Sequence, residues 1–281
     1  MVLNGNEDFR TLQEKLNYDK LHLFSEDEAE VSKVYGFAND NLREYYSGID
    51  IKDKKILTVL SSADHYLEAL RQGASNSNIV TFDINRMTIY CAYMKMFSIL
   101  NNSRSNFVRP NELTTERSII LPGRVYKKNR DQLPDEIKSL WDLYYYEVMD
   151  TQVNTKKLFY FSQILSTKIP YLSSDEKYAA LVSILKKQIP QINFHNCDIS
   201  EIGDNFAPGA FDILSISNIY DYVEPTSEGI KKLTSVIADE GYLILTSSSG
   251  LSESVEEALV KTMQPVYKKG PTYDSLMHFR K

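Results

Sequence analysis

The part of the chain that most narrows its possible folds is Lys55 to Asn85, KILTVLSSADHYLEALRQGASNSNIVTFDIN. Residues 56–60, ILTVL, are a short apolar, partly β-branched run, as in a strand buried on both faces. Ser61-Ser62-Ala63-Asp64 breaks that run, YLEAL at 66–70 restarts with helical spacing, and Gly73 stops it. Residues 79–82, IVTF, make a second strand that delivers Asp83. In an open parallel sheet, ligands bind beyond the carboxyl ends of the strands. The 61–64 turn and Asp83 therefore belong side by side at that edge. An acidic residue about 20 positions after the first turn is where nucleotide-binding βαβ units grip a ribose diol.

After Ile84-Asn85 a helix is expected to about residue 100, with Met87, Tyr90, Cys91, Met94 and Phe97 on one stripe, a core pattern. Residues 103–190 interrupt the alternation. They carry helical patterns at about 134–150, 153–168 and 174–188, the last opened by the capping-box sequence Ser173-Ser174-Asp175-Glu176. The aromatics Trp141, Tyr144, Tyr145, Tyr146, Phe159, Tyr160 and Phe161 suit a helical subdomain core as well as a pocket wall. Strands are expected again at 191–195, 211–216 and 241–246, helices at 225–238 and 252–263, and an antiparallel edge strand at 273–279. The fold class is α/β: a doubly wound, mostly parallel sheet, with a helical insertion (103–190) between strands 2 and 3. Residues 1–50 read as an N-terminal helical segment ahead of a 51–281 domain. Ser25-Glu26-Asp27-Glu28 opens a helix carrying Val31, Val34, Tyr35, Ala38, Leu42 and Tyr45 on one face. Its acidic cluster is a solvated first turn or part of a lid over the crevice.

Composition removes several classes. Net charge is −6, from 32 basic and 38 acidic residues in 281, which disfavours a nucleic-acid partner. Two cysteines, Cys91 and Cys197, are too few for a disulfide framework and fit no zinc spacing. His22, His195 and His278 are scattered singly, so no metal site is expected. The start MVLNGNEDFR lacks a signal core and no run is long enough to span a bilayer, so a cytoplasmic location without a transmembrane segment is expected.

The turn has no G-x-G-x-x-G, no P-loop and no G-x-S-x-G, which argues against dinucleotides, phosphate cradles and the usual hydrolase elbow. What remains is a Ser/Asp turn, a ribose-type aspartate, an Asp after strand three and a Ser-Asn pair after strand four. That set suits a nucleoside without phosphates that carries an amino-acid tail, and S-adenosylmethionine fits it. Asp83, with Ile84 and Asn85, would take the ribose side, and Cys197-Asp198 the adenine edge. Ser61, Ser62, Ala63, Asp64, Ser217 and Asn218 would meet the tail.

These residues also carry a resemblance. ILTVLSSADHYLEAL, then VTFDIN followed by Lys95, then LPDEIKSLWD with Trp141, then FDILSISNIYDYV is similar to the S-adenosylmethionine-dependent 3-amino-3-carboxypropyl transferases, whose best-known members make the diacylglyceryl-homoserine precursor of betaine lipids. The likeness covers roughly residues 20–250. It rests on Asp83-x-Asn85 with Lys95 about ten residues on, and on Ser217-Asn218-Ile219. It implies a class I methyltransferase-like fold and transfer of the aminocarboxypropyl group to a small or amphiphilic acceptor. Ala63 stands where the family favours Gly, and residues 168–187 match no part of its pattern.

A hydroxyl acceptor wants a general base near the strand-four edge. Asp221 with Tyr220 or Tyr222 are the candidates, and His65 is a second choice from the first turn. Each also has a structural use: Asp221 as a loop or cap carboxylate, His65 as a first-turn helix residue. A methyltransferase on the same fold and a non-catalytic S-adenosylmethionine-binding protein remain open alternatives.

Overall fold

The computed structural model describes residues 34–35, 37–38, 40–107, 123–143, 159–160, 168–187, 189–221, 223–247, 250–269 and 275–281. The strands are β1 (Val34–Tyr35), β2 (Ile56–Val59), β3 (Ile79–Asp83), β4 (Phe159–Tyr160), β5 (Asn193–Asn196), β6 (Phe211–Ser217), β7 (Ile237–Ser247), β8 (Gln264–Lys269) and β9 (Ser275–Arg280). The helices are α1 (Asp64–Arg71), α2 (Met87–Asn101), α3 (Gly123–Asn129), α4 (Asp135–Leu143), α5 (Pro170–Ser173), α6 (Asp175–Lys187), α7 (Ile202–Asn205), α8 (Ser227–Ser235) and α9 (Glu253–Thr262).

Seven strands form one sheet in the order β5-β3-β2-β6-β7-β9-β8, while β1 and β4 form a separate parallel pair. Numbered among themselves, the seven run 3-2-1-4-5-7-6. β2, β3, β5, β6 and β7 pair in parallel, and β9 is antiparallel to both of its neighbours. This is the doubly wound, mostly parallel α/β sheet expected from the sequence. Strand order reverses between β2 and β6, so the ligand crevice of such a sheet opens above their carboxyl ends.

Alternation along β2 explains the two layers. All four β2 residues are buried, but Ile56 belongs to one core cluster and Leu57 and Val59 to the other, because successive side chains leave opposite faces of a strand. The first cluster gathers α1, α2, α4, α5, α6 and residues 37–51. The second gathers α8, α9 and the 199–202 turn.

Several elements differ from expectation. β9 lies inside the sheet, and the edge belongs to β8, which its polar sequence QPVYKK concealed. Pro265 is tolerated because an edge strand need not donate on both sides, and exposed lysines suit an edge open to water. β7 begins at Ile237, inside the expected 225–238 helix, and its first pairings with β6 are irregular. Glu240 has φ 66° there, and a Cβ on Gly241 would stand 2.7 Å from Asp212 O. α2 is buried around nearly its whole circumference, Lys95 and Ser98 included, rather than on one stripe. The helix expected across 34–45 is not formed: Val34–Tyr35 is strand and Leu42–Glu44 is a 3-10 turn. Tertiary bonds override the spacing there, since Leu42 N donates to Lys168 O at 2.9 Å. Phe159–Tyr160, expected in a 153–168 helix, pairs with β1 instead. The capping sequence at 25–28, Val31, Tyr144, Tyr145, Tyr146, Phe161 and Tyr222 lie outside the described residues.

Candidate functional site

The turn after β2 is built on two left-handed residues, Ser61 (φ 43°) and Ala63 (φ 65°). That conformation costs an L-residue about 1–2 kcal/mol. The surroundings hold it in place. Ser61 N donates to Asp83 Oδ2 at 2.8 Å, and Ala63 N donates to Leu60 O at 2.5 Å. Ala63 therefore occupies a buried glycine-like position without being glycine. Asp83 ends β3, and its Oδ1 accepts from Asn85 N at 2.8 Å. One carboxylate thus ties the first turn to the second. Ile84 beside it is 55% exposed, an apolar side chain left open at the carboxyl edge.

The neighbouring β5 end is bonded to the same place. Asn196 Nδ2 donates to Asp83 O at 2.9 Å and to Ile84 O at 2.8 Å, and Cys197 N donates to Asp83 O at 3.2 Å. Burial, helped by Glu201, Asp198 and Asp83, pushes the Cys197 thiol up to about 11. Asp198 caps the 3-10 turn Ile199–Glu201, accepting from Ser200 N at 2.8 Å while Glu201 reaches back to Asp198 N at 2.9 Å.

Asp64 is fully buried and accepts four donors. Oδ2 takes Ala38 N at 2.5 Å and Ser62 Oγ at 2.9 Å, and Oδ1 takes Lys95 Nζ and Tyr171 OH, each at 2.5 Å. Lys95 Nζ also donates to Ser62 O at 2.8 Å and lies 4.3 Å from the Phe37 ring centroid. Burial lowers the Lys95 pKa against the opposing pull of Asp64, and burial followed by the Asp64 charge raises that of Tyr171 well above the ordinary tyrosine range. This cluster joins the turn to α2, to α5 and to the segment before β2.

A second buried carboxylate, Asp40, faces the switch point from the other side. Ser217 Oγ donates to its Oδ2, Thr246 Oγ1 donates to its Oδ1 at 2.8 Å, and His65 Nε2 lies 3.1 Å from Oδ2. Burial works against the Asp40 charge, but His65, Ser217 and Thr246 outweigh it and hold the carboxyl below its usual range. Neither ring nitrogen of His65 makes an aligned hydrogen bond, and the ring packs edge-on to Tyr45 at 4.7 Å. Tyr45 OH receives Ser217 N at 3.2 Å and bonds Ser215 Oγ at 3.0 Å. Ser217 is itself left-handed, at φ 55°.

No family model and no curated protein compared with this chain matches it. Among solved structures, the chain is similar to the N-methyltransferase NodS from Bradyrhizobium japonicum WM9 in complex with S-adenosyl-L-homocysteine, at 11% identity and TM-score 0.41, over 97% of this chain and 97% of that one. It is also similar to the rRNA methyltransferase aviRa from Streptomyces viridochromogenes, at 10% identity and TM-score 0.42, over 85% of this chain and 81% of that one.

The candidate residues fall into three groups. Ser61, Ser62, Ala63, Asp64, Asp83, Ile84 and Asn85 gather at the β2 and β3 ends, Cys197 and Asp198 at the β5 end, and Ser217 and Asn218 at the β6 end. Of the candidate bases, His65 is buried against Asp40, while Asp221 is half-buried with Oδ1 accepting from Ser247 Oγ at 2.6 Å. Tyr220 packs on the second core cluster, and burial raises its pKa. Sequence reasoning missed Asp40, Tyr45, Tyr171 and Thr246. A helical reading of 31–45 put Asp40 off the apolar face, and nothing local marks a partner some 200 positions away. Among the described residues no group of three His, Cys, Asp or Glu could hold a metal, and no helix is long and apolar enough to cross a membrane.

Proposed function

We propose that this chain is an S-adenosylmethionine-dependent transferase that moves the 3-amino-3-carboxypropyl group to a small or amphiphilic acceptor. The observation that carries the reading is Asp83 at the carboxyl end of the second main strand, tied to Ser61 N across the first turn, with Ile84 exposed beside it. A carboxylate at this strand end suits vicinal ribose hydroxyls, and an exposed apolar side chain suits a purine face. The turn suits a ligand without phosphates, because its cation, Lys95, is committed to Asp64 and Ser62 O. In this reading Asp83 and Asn85 hold the ribose side, and Ile84, Cys197 and Asp198 border the adenine. The 61–64 turn, Ser217 and Asn218 meet the amino-acid tail.

Bound, the sulfonium supplies an electrophilic carbon, so the task left to these residues is alignment, which is worth about 7–11 kcal/mol in well-oriented systems. Asp221 would take the acceptor's proton. The described helices of the insertion, α3 to α6, would wall the acceptor pocket.

The choice of aminocarboxypropyl rather than methyl transfer rests on the family resemblance carried by Asp83-x-Asn85, Lys95 and Ser217-Asn218-Ile219. Product analysis separates the two. Incubation with cofactor and candidate acceptors should release methylthioadenosine, whereas accumulation of S-adenosylhomocysteine would establish methyl transfer instead. By calorimetry, Asp83→Ala should weaken cofactor binding at least tenfold; unchanged affinity would overturn the site.

A further inference from the structure

A hydroxyl group has one hydrogen, and where that hydrogen points decides what the oxygen offers on its other side. At the carboxyl end of β6, the Ser217 hydroxyl hydrogen is spent on Asp40 Oδ2. Its backbone N–H is spent on Tyr45 OH. At the end of β7, next to β6 in the sheet, the Thr246 hydroxyl hydrogen is also turned to Asp40. Asn218 Oδ1 lies a longer 3.3 Å from the Ser217 hydroxyl, so with the hydrogens on Asp40 both oxygens offer lone pairs to a ligand. Behind them stands a carboxylate that is 4% exposed and that faces the His65 ring, whose Nε2 is 3.1 Å from Oδ2. A corner made of acceptors and backed by a buried negative charge favours a cation with several N–H hydrogens and disfavours an anion.

We propose that Asp40 is a positioning residue that makes the Ser217 corner the seat for the ammonium group of the donor's amino-acid tail. The inference rests on the S-adenosylmethionine reading and deepens it by fixing which end of the zwitterionic tail faces β6. Asp40 acts through Ser217 and Thr246 and touches neither the donor nor the acceptor. Ser217 is left-handed where Asp40 bonds it, so the contact joins the N-terminal segment to the strand end that would meet the ligand.

Two ligands that share a nucleoside but differ in the tail test this. S-adenosylhomocysteine carries the ammonium, and methylthioadenosine lacks the whole amino-acid part. Calorimetric titration of the full chain should show that Asp40→Asn weakens S-adenosylhomocysteine at least tenfold and changes methylthioadenosine less than twofold. The amide removes the charge and offers hydrogens of its own, which lets Ser217 turn its hydrogen outward. Ser217→Ala should give the same selective loss, and it serves as the readout if Asp40→Asn does not fold. Equal loss for both ligands would make Asp40 a merely structural residue and overturn the proposal. Unchanged S-adenosylhomocysteine binding in a folded variant would overturn it as well. If the unaltered chain binds neither nucleoside, the function reading falls and the ammonium seat with it.

Discussion

Replacing Lys95 by Met removes a charge from the most densely bonded carboxylate at the site while keeping a side chain of similar length. Three losses can be read from the contacts. The ion pair to Asp64 Oδ1 at 2.5 Å is broken with both groups at 2% exposure or less, and breaking a buried pair from one side costs about 3–5 kcal/mol. Ser62 O loses its donor at 2.8 Å, about 1–3 kcal/mol if nothing replaces it. The contact over Phe37 adds roughly 0.5–1 kcal/mol. Against these, Asp64 keeps Ala38 N, Ser62 Oγ and Tyr171 OH. The net expectation is about 3 kcal/mol, at the low end of the pair's range, or a Tm drop of roughly 6–12 °C for a chain of this size. Urea unfolding followed by circular dichroism measures it. Asp64→Asn combined with Lys95→Met should cost less than the sum of the single changes, because no unpaired charge is left buried. A loss below about 1 kcal/mol for Lys95→Met, or singles that add within about 0.5 kcal/mol, would refute the reasoning.

Partial desolvation by its neighbours lowers the pKa of the otherwise exposed His195, and burial lowers that of His278 against a weaker opposing bond to Tyr45 O. The unfolded chain therefore binds these protons more readily, and stability should fall as pH drops below about 6.5. A Tm no lower at pH 5.5 than at pH 7.5 would contradict this. Gly241→Ala drives a Cβ into backbone oxygens at 2.7 and 2.8 Å and should cost about 1–3 kcal/mol, read by the same urea melts; wild-type stability would remove the clash argument. Cys197, pushed up to about 11, and buried Cys91 should react slowly with a thiol reagent at pH 8 in the native protein, and both should react at once in urea. Ile84→Ser should weaken nucleoside binding with less than about 0.5 kcal/mol change in stability, since the side chain is already open to water; unchanged binding by calorimetry would remove Ile84 from the site.

The central βαβ unit was legible because its signals are local: β2 and β3 are continuous apolar runs, and Asp83 falls at the strand end that the topology makes useful. β8 was hidden because an edge strand needs few apolar residues, and its QPVYKK sequence looks like loop. The 34–45 segment misled because Leu42 and Tyr45 suit a helix face, while the structure uses them in a 3-10 turn and a tyrosine hydroxyl bonded to β6. Lys95 and Asp64 were each marked by the sequence without any sign that they pair. Such pairing depends on how helices pack, and periodicity does not encode it.

Asp40 meets Ser217 across 177 positions of chain and Thr246 across 206, and Asp64 meets Ala38 N across 26. Contacts of such reach close only after most of the polymer has found its place, so they form late and are the first casualties when a distant helix frays. The crevice is therefore assembled only when segments far apart in the sequence are in place together. Any small molecule seated there should raise the melting temperature of the whole sheet with its concentration, as mass action on a single cooperative unit requires. A thermal-shift screen would then double as a search for the natural ligand.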